Sequence, residues 1–188
     1  MKAAAFVKKV KALKPSRSVL ANKELPDALI DELLSSYEIL PKKERRTCSS
    51  ELMELTDNYN MKGFEVLGIT FQAQTSQQDS YITFATMELD ELTIDVQDGM
   101  VQLLSFETGE VLYACAVDSE HFLDVLYKMV KIVAHRIKYD HFSDPCTDAV
   151  RLAELSGLPE SIGFYRWVLG CEGAVSLVRG AVGDSQER

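Results

Sequence analysis

The sequence predicts an α+β fold: an antiparallel sheet of about five strands, run as a meander, packed by helices and followed by extra C-terminal helices. Three observations carry this. Apolar residues keep helical spacing until about Asn58, switch to a period of two at Phe64, and return to helical spacing after Asp118. At 188 residues, 46% of them apolar, the chain has the length of one compact domain and can bury a sizeable core.

The first segment sets Ala3, Phe6, Val7, Val10 and Leu13 on one side of a helix and lysines on the other, and it ends before Pro15. Such a basic amphipathic helix suits a membrane surface, a partner, or its own acidic body, and folding back on that body is the preferred expectation. Leu25, Pro26 and Asp27 open a second helix whose stripe, Leu29, Ile30, Leu33, Leu34 and Tyr37, stops before Pro41. Residues 42–47 form a polar connector, residues 50–58 a weaker helix, and residues 59–63 break it.

Residues 64–71, 81–86, 92–96, 100–106 and 110–117 are short and rich in β-branched or aromatic side chains, as strands are. Gln97-Asp98-Gly99 and Thr108-Gly109 supply tight connections, so consecutive antiparallel pairing is the economical topology. Asp118 or Ser119 caps the next helix, where Phe122, Leu123, Leu126, Met129, Val130 and Val133 hold helical spacing to about Lys138. That helix is expected across one face of the sheet. Two short helices follow, residues 147–156 closed by Gly157 and residues 160–169 closed by Gly170. The expected organisation is a basic N-terminal helix (residues 1–22), an α+β core (23–144), a helical extension packed on the same domain (145–180) and a flexible tail (181–188).

Net charge is −9, unevenly spread. Residues 1–23 hold seven bases and no acid, leaving 13 bases against 29 acids. Residues 63–127 contain twelve carboxylates and neither lysine nor arginine. Such a surface repels nucleic-acid phosphate and favours a cationic protein partner; the plainer alternative is a solvated acidic face. No apolar run approaches the roughly 20 residues of a membrane span. The N-terminus lacks a secretory h-region, so the mature chain is expected to start at Met1. Cys48, Cys115, Cys146 and Cys171, spaced 67, 31 and 25 apart, match neither a zinc pattern nor a disulfide scaffold, and imply reduced thiols in a cytoplasm.

Candidate chemistry is thin. His135, Asp140, His141, Asp144 and Cys146 are the densest set of metal-ligating side chains. His135 and His141, six apart, lie about 120° from a shared helical face, and a polar helix terminus explains the set better. Cys115, Asp118 and His121 invite a nucleophile–base reading, but Cys115 falls inside an apolar strand and no glycine-rich elbow accompanies it. Glu88, Asp90, Glu91 and Asp95 read as solvated charge rather than paired catalytic carboxylates. Gly170-Cys171-Glu172-Gly173 lacks the lysine of a phosphate loop. Trp167, with Phe164 and Tyr165, is expected to anchor the last helix. No catalytic residue, cofactor or metal site is expected.

Several pieces of residues 25–134 resemble the SUKH superfamily, which includes the Syd protein, Knr-type cell-wall regulators and immunity proteins of bacterial polymorphic toxin systems. They are Leu25-Pro26-Asp27 with its leucine-rich helix, the strand carrying Gly68, Leu92-Thr93-Ile94-Asp95-Val96, Asp98-Gly99-Met100-Val101, Gly109-Glu110-Val111, and Asp118-Ser119-Glu120-His121-Phe122-Leu123. The resemblance implies an α+β fold without catalytic residues whose sheet surface and loops grip proteins, most often a toxin. The functional expectation is therefore an immunity-type protein that neutralises a basic toxin domain through Glu88, Asp90, Glu91, Asp95 and Asp98. The alternative is a cytoplasmic adapter or regulatory scaffold that uses the basic helix at a membrane or protein complex.

Overall fold

A computed structural model describes residues 1–139 and 143–171. Asp140, His141, the expected tail and the last part of the C-terminal extension lie outside them. Helix α1 (Ala3–Ala12) buries Ala3, Phe6 and Val10, a spacing that keeps all three on one face. Ser16 then caps a short helix absent from the sequence expectation, α2 (Arg17–Ala21), and Arg17 ties it to Asp27 and Asp31 of α3 (Asp27–Ser36). Strand β1 (Leu40–Pro41) pairs antiparallel with β2 (Tyr59–Asn60) around α4 (Glu51–Asn58), which Ser50 caps through Met53 N–H.

The main sheet holds six strands in chain order: β3 (Glu65–Val66), β4 (Ile69–Gln78), β5 (Tyr81–Met87), β6 (Asp90–Asp95), β7 (Val101–Leu104) and β8 (Val111–Ala116). All neighbours are antiparallel, so the meander is as expected, with one correction. The stretch expected as one strand, residues 64–71, turns back on itself at Leu67-Gly68, both at positive φ (50° and 82°). Two successive left-handed residues make the turn whose twist matches a hairpin, and the glycine bears that conformation without strain.

Register sorts the side chains into two faces. Phe71, Ala85, Leu92 and Leu103 pair in one row, flanked by Ile82, Ile94 and Val101, and these point into the core. Phe84 is the extra residue of a bulge, since Thr83 pairs with Thr93 and Ala85 with Leu92. The bulge lets Phe84 and Ala85 both reach the core, where both are fully buried. The opposite face sets Thr83, Thr93 and Gln102, all buried, in one row, and Thr70, Thr86, Glu91 and the buried Leu104 in the next. β4 departs from the ladder between Phe71 and Ser76, and neighbouring elements satisfy its backbone there. Lys42 donates to Ala73 O (2.6 Å), and the buried Asp57 carboxylate accepts from Thr75 N–H (2.7 Å) and hydroxyl (2.9 Å). Those bonds occupy strand backbone that would otherwise invite pairing with another chain.

Helix α5 (Ser119–Tyr139) lies on the apolar face, burying Phe122, Leu123, Leu126, Met129 and Val130. Phe6, Phe64, Phe71, Phe84 and Phe122 form a chain of ring contacts at 5.8–5.9 Å that joins α1, the sheet and α5. After α6 (Pro145–Leu155), capped by Asp144, and a 3-10 turn (Pro159–Ser161), α7 (Ile162–Leu169) docks on β8. Tyr165 donates its hydroxyl to Cys115 O (2.5 Å), and Trp167 stacks on Tyr113. Gly157, at φ 75°, closes α6 where a Cβ would stand 2.7 Å from Val117 Cγ2. Gly157→Ala is expected to lower stability by about 2–3 kcal/mol, the left-handed strain plus the clash. Gly170→Ala, at similar φ but with nothing within 4 Å, should lose only about 1 kcal/mol. Urea unfolding of both variants separates the two terms.

Candidate functional site

In a meander, alternate turns fall at the same end of the sheet. The turns at Leu67-Gly68, Glu88-Leu89 and residues 105–110 share one end, and those at Asp79-Ser80 and residues 96–100 share the other. The five acids expected as a site are thereby divided. Glu88, Asp90 and Glu91 stand at the first end, Asp95 and Asp98 at the second, separated by the length of β6, about 17 Å at the usual rise.

Asp95 and Asp98 are turn formers. Asp95 Oδ1 accepts from Gln97 N–H (2.7 Å) and Asp98 Oδ1 from Met100 N–H (2.8 Å), local bonds that fix the β6–β7 connection. At the first end, Asp90 Oδ1 accepts from Phe106 N–H (3.1 Å), tying the two turns together, and Glu91 accepts from the Thr83 hydroxyl (3.2 Å). Glu88 sits at positive φ (56°) on the tip, exposed.

Two apolar side chains stand out beside these acids. Leu89 is 76% exposed and Phe106 67% exposed, with Val111 and Leu112 partly exposed next to them in sequence. Glu107 and Glu110, both exposed, complete an acidic rim. Leu89 and Phe106 are thus held in water on turns that Asp90 pins to one another. Sequence reasoning counted Glu107 and Glu110 among the acids but did not place Leu89 or Phe106 in the site. Hairpin parity was the available signal, because it brings residues 88–91 to the same end as residues 105–112.

In the other candidate constellations the described side chains are engaged elsewhere. Cys115 is fully buried, its thiol pushed far up by burial and donating to Tyr113 O. Asp118 instead caps α5, accepting from the backbone N–H of His121 and contacting its ring at 2.8 and 2.9 Å. Partial burial presses the Asp118 carboxyl up, but the bonds from His121 outweigh it and hold it below the ordinary value. The thiol is buried and bonded to its own strand, and the imidazole is engaged in a helix cap, so neither is hydrogen-bonded to the other as a nucleophile–base pair would be. His135 packs on Tyr139 (4.7 Å), and Cys146 neighbours Cys171, whose thiol is raised to about 11 by desolvation and by that neighbour. Asp144 is occupied with the α6 cap. Among the described residues no group of three or more His, Cys, Asp or Glu gathers to hold a metal, and no helix is long and apolar enough to cross a membrane.

Compared with protein-family models, curated proteins and solved structures, the chain matches none of them.

Proposed function

We propose that this protein is a non-catalytic protein-binding module, an immunity-type protein that neutralises a cationic toxin domain in the cytoplasm. The observation that carries the reading is the sheet end where Leu89 and Phe106 stand exposed inside a rim of Glu88, Asp90, Glu91, Glu107 and Glu110. Apolar anchors supply desolvation energy, and surrounding carboxylates steer a basic partner and reject acidic ones. The acids at the opposite end, Asp95 and Asp98, hold a turn and contribute only long-range field.

The adapter alternative has less support. A helix that works at a membrane must offer its apolar face, and Phe6 and Val10 of α1 are fully buried in the core. Its terminus is also tied inward, with the Met1 ammonium 3.1 Å from Asp124 and Lys2 about equally close to Glu51 (3.0 Å) and Glu120 (2.9 Å).

Tagged protein is used to capture partners from its native lysate at low and high salt, and the captured protein is then co-expressed with it. A basic domain that arrests growth alone, and is silenced by co-expression, is the expected result. Capture of an acidic or non-toxic partner overturns the immunity reading.

A further inference from the structure

A second region contrasts with the acidic sheet end. Where α1 gives way to α2, a cleft of about 420 Å³ opens against the last turns of α5, within the usual size of small-molecule sites. Its lining includes the half-buried Leu13 and the exposed Tyr139, and its ammonium groups are Lys14, Lys131 and Lys138, with His135 beside them and no carboxylate among the described lining residues.

The arrangement is not explained by helix electrostatics alone. Lys131, His135 and Lys138 are spaced i, i+4, i+7, which sets them on one stripe of α5 facing the cleft. The carbonyls at the end of α5 favour a cation in its last turn, yet the stripe begins two turns earlier. Lys14 is matched by Glu38 at 2.5 Å. Lys131 has no carboxylate partner among the described residues, and Lys138 has none either, lying instead over the Tyr139 ring at 5.0 Å. Two ammonium groups with no carboxylate partner among the described residues, beside apolar lining, match a doubly charged head on an apolar body.

We infer that this cleft is a binding site for a small phosphate monoester with an aryl or short alkyl body. Lys131 and Lys138 take the phosphate, His135 flanks it, and Leu13 and Tyr139 receive the apolar part. The site shares no residue with the proposed partner-binding end and stands whether or not that reading holds.

The test is an amide-detected NMR titration of the full chain with phenyl phosphate, using inorganic phosphate and phenol as comparators. Shifts confined to residues 12–19 and 131–139 are expected, with phenyl phosphate binding at least about tenfold tighter than either comparator. Lys131→Gln with Lys138→Gln, both exposed, should weaken it by about tenfold or more while leaving the rest of the spectrum in place. The assignment is overturned by equal shifts at Lys8 and Lys11 of α1, by binding indifferent to the double variant, or by phenol binding as well as phenyl phosphate. It is also overturned if phenyl phosphate causes no shift while vesicles of anionic phospholipid are bound through the same lysines, which would make the source a membrane surface.

Discussion

Phe106→Ala is expected to weaken the complex with the captured partner by about thirtyfold, roughly 2 kcal/mol, without changing the urea midpoint of the free protein. The side chain is two-thirds exposed, so truncating it removes little from the core. What it removes is the anchor that a partner would bury, and Leu89→Ala should act in the same direction. Reversing Glu88, Glu107 and Glu110 to lysine should instead slow association by about 100-fold at low salt, because steering by a one-signed rim acts on the encounter. That loss should shrink as salt screens the field. Asp95→Lys and Asp98→Lys provide the contrast. Each carboxylate holds a backbone N–H of the β6–β7 turn, so both variants should lower stability more than binding. Stopped-flow association and equilibrium titration of the five variants measure these effects. Loss of binding in the Asp95 and Asp98 variants, with the Phe106 variant unaffected, would move the site to the other end of the sheet.

The parts of this fold that sequence could show are those set by periodicity and turn chemistry. Val111 to Ala116 reads as a strand because it is a short apolar run, with Val111 and Tyr113 two apart, that follows the Thr108-Gly109 turn, and Phe122, Leu126, Met129 and Val130 read as a helix because they recur at helical spacing. Leu67 hid the first hairpin. A leucine rarely takes positive φ, so only Gly68 hinted at a turn, and an apolar run spanning both strands looked continuous. Helix α2 was invisible for another reason: five residues are too few to show a period, and a Ser16 cap plus the Arg17 bridges to α3 stabilise it through contacts outside itself. The candidate site was half legible. Charge could be counted, but whether Phe106 points into the core or into water depends on the sheet ending at Leu104, which hydrophobicity alone does not reveal.

Phe84→Ala is expected to destabilise the protein by about 3–5 kcal/mol, a large share of the roughly 5–15 kcal/mol that holds a domain of this size together. Phe84 is fully buried, sits at the bulge that turns it and Ala85 inward together, and touches rings on both sides, Phe71 and Phe122. Its loss leaves a cavity between sheet and α5 that neighbouring side chains, each locked by its own ring contacts, fill poorly. The same chain of rings makes a sharper statement about α1. Phe6 meets Phe64 edge to face at 5.9 Å and is itself fully buried, so Phe6→Ala should also cost about 3–5 kcal/mol in one cooperative transition. A basic helix acting as a detachable anchor would give a different outcome, because its apolar face would leave the core without affecting global unfolding. Urea melts of the two variants therefore decide whether α1 belongs to the cooperative core: matched losses with an unchanged denaturant slope place it there, while a wild-type midpoint for Phe6→Ala removes it.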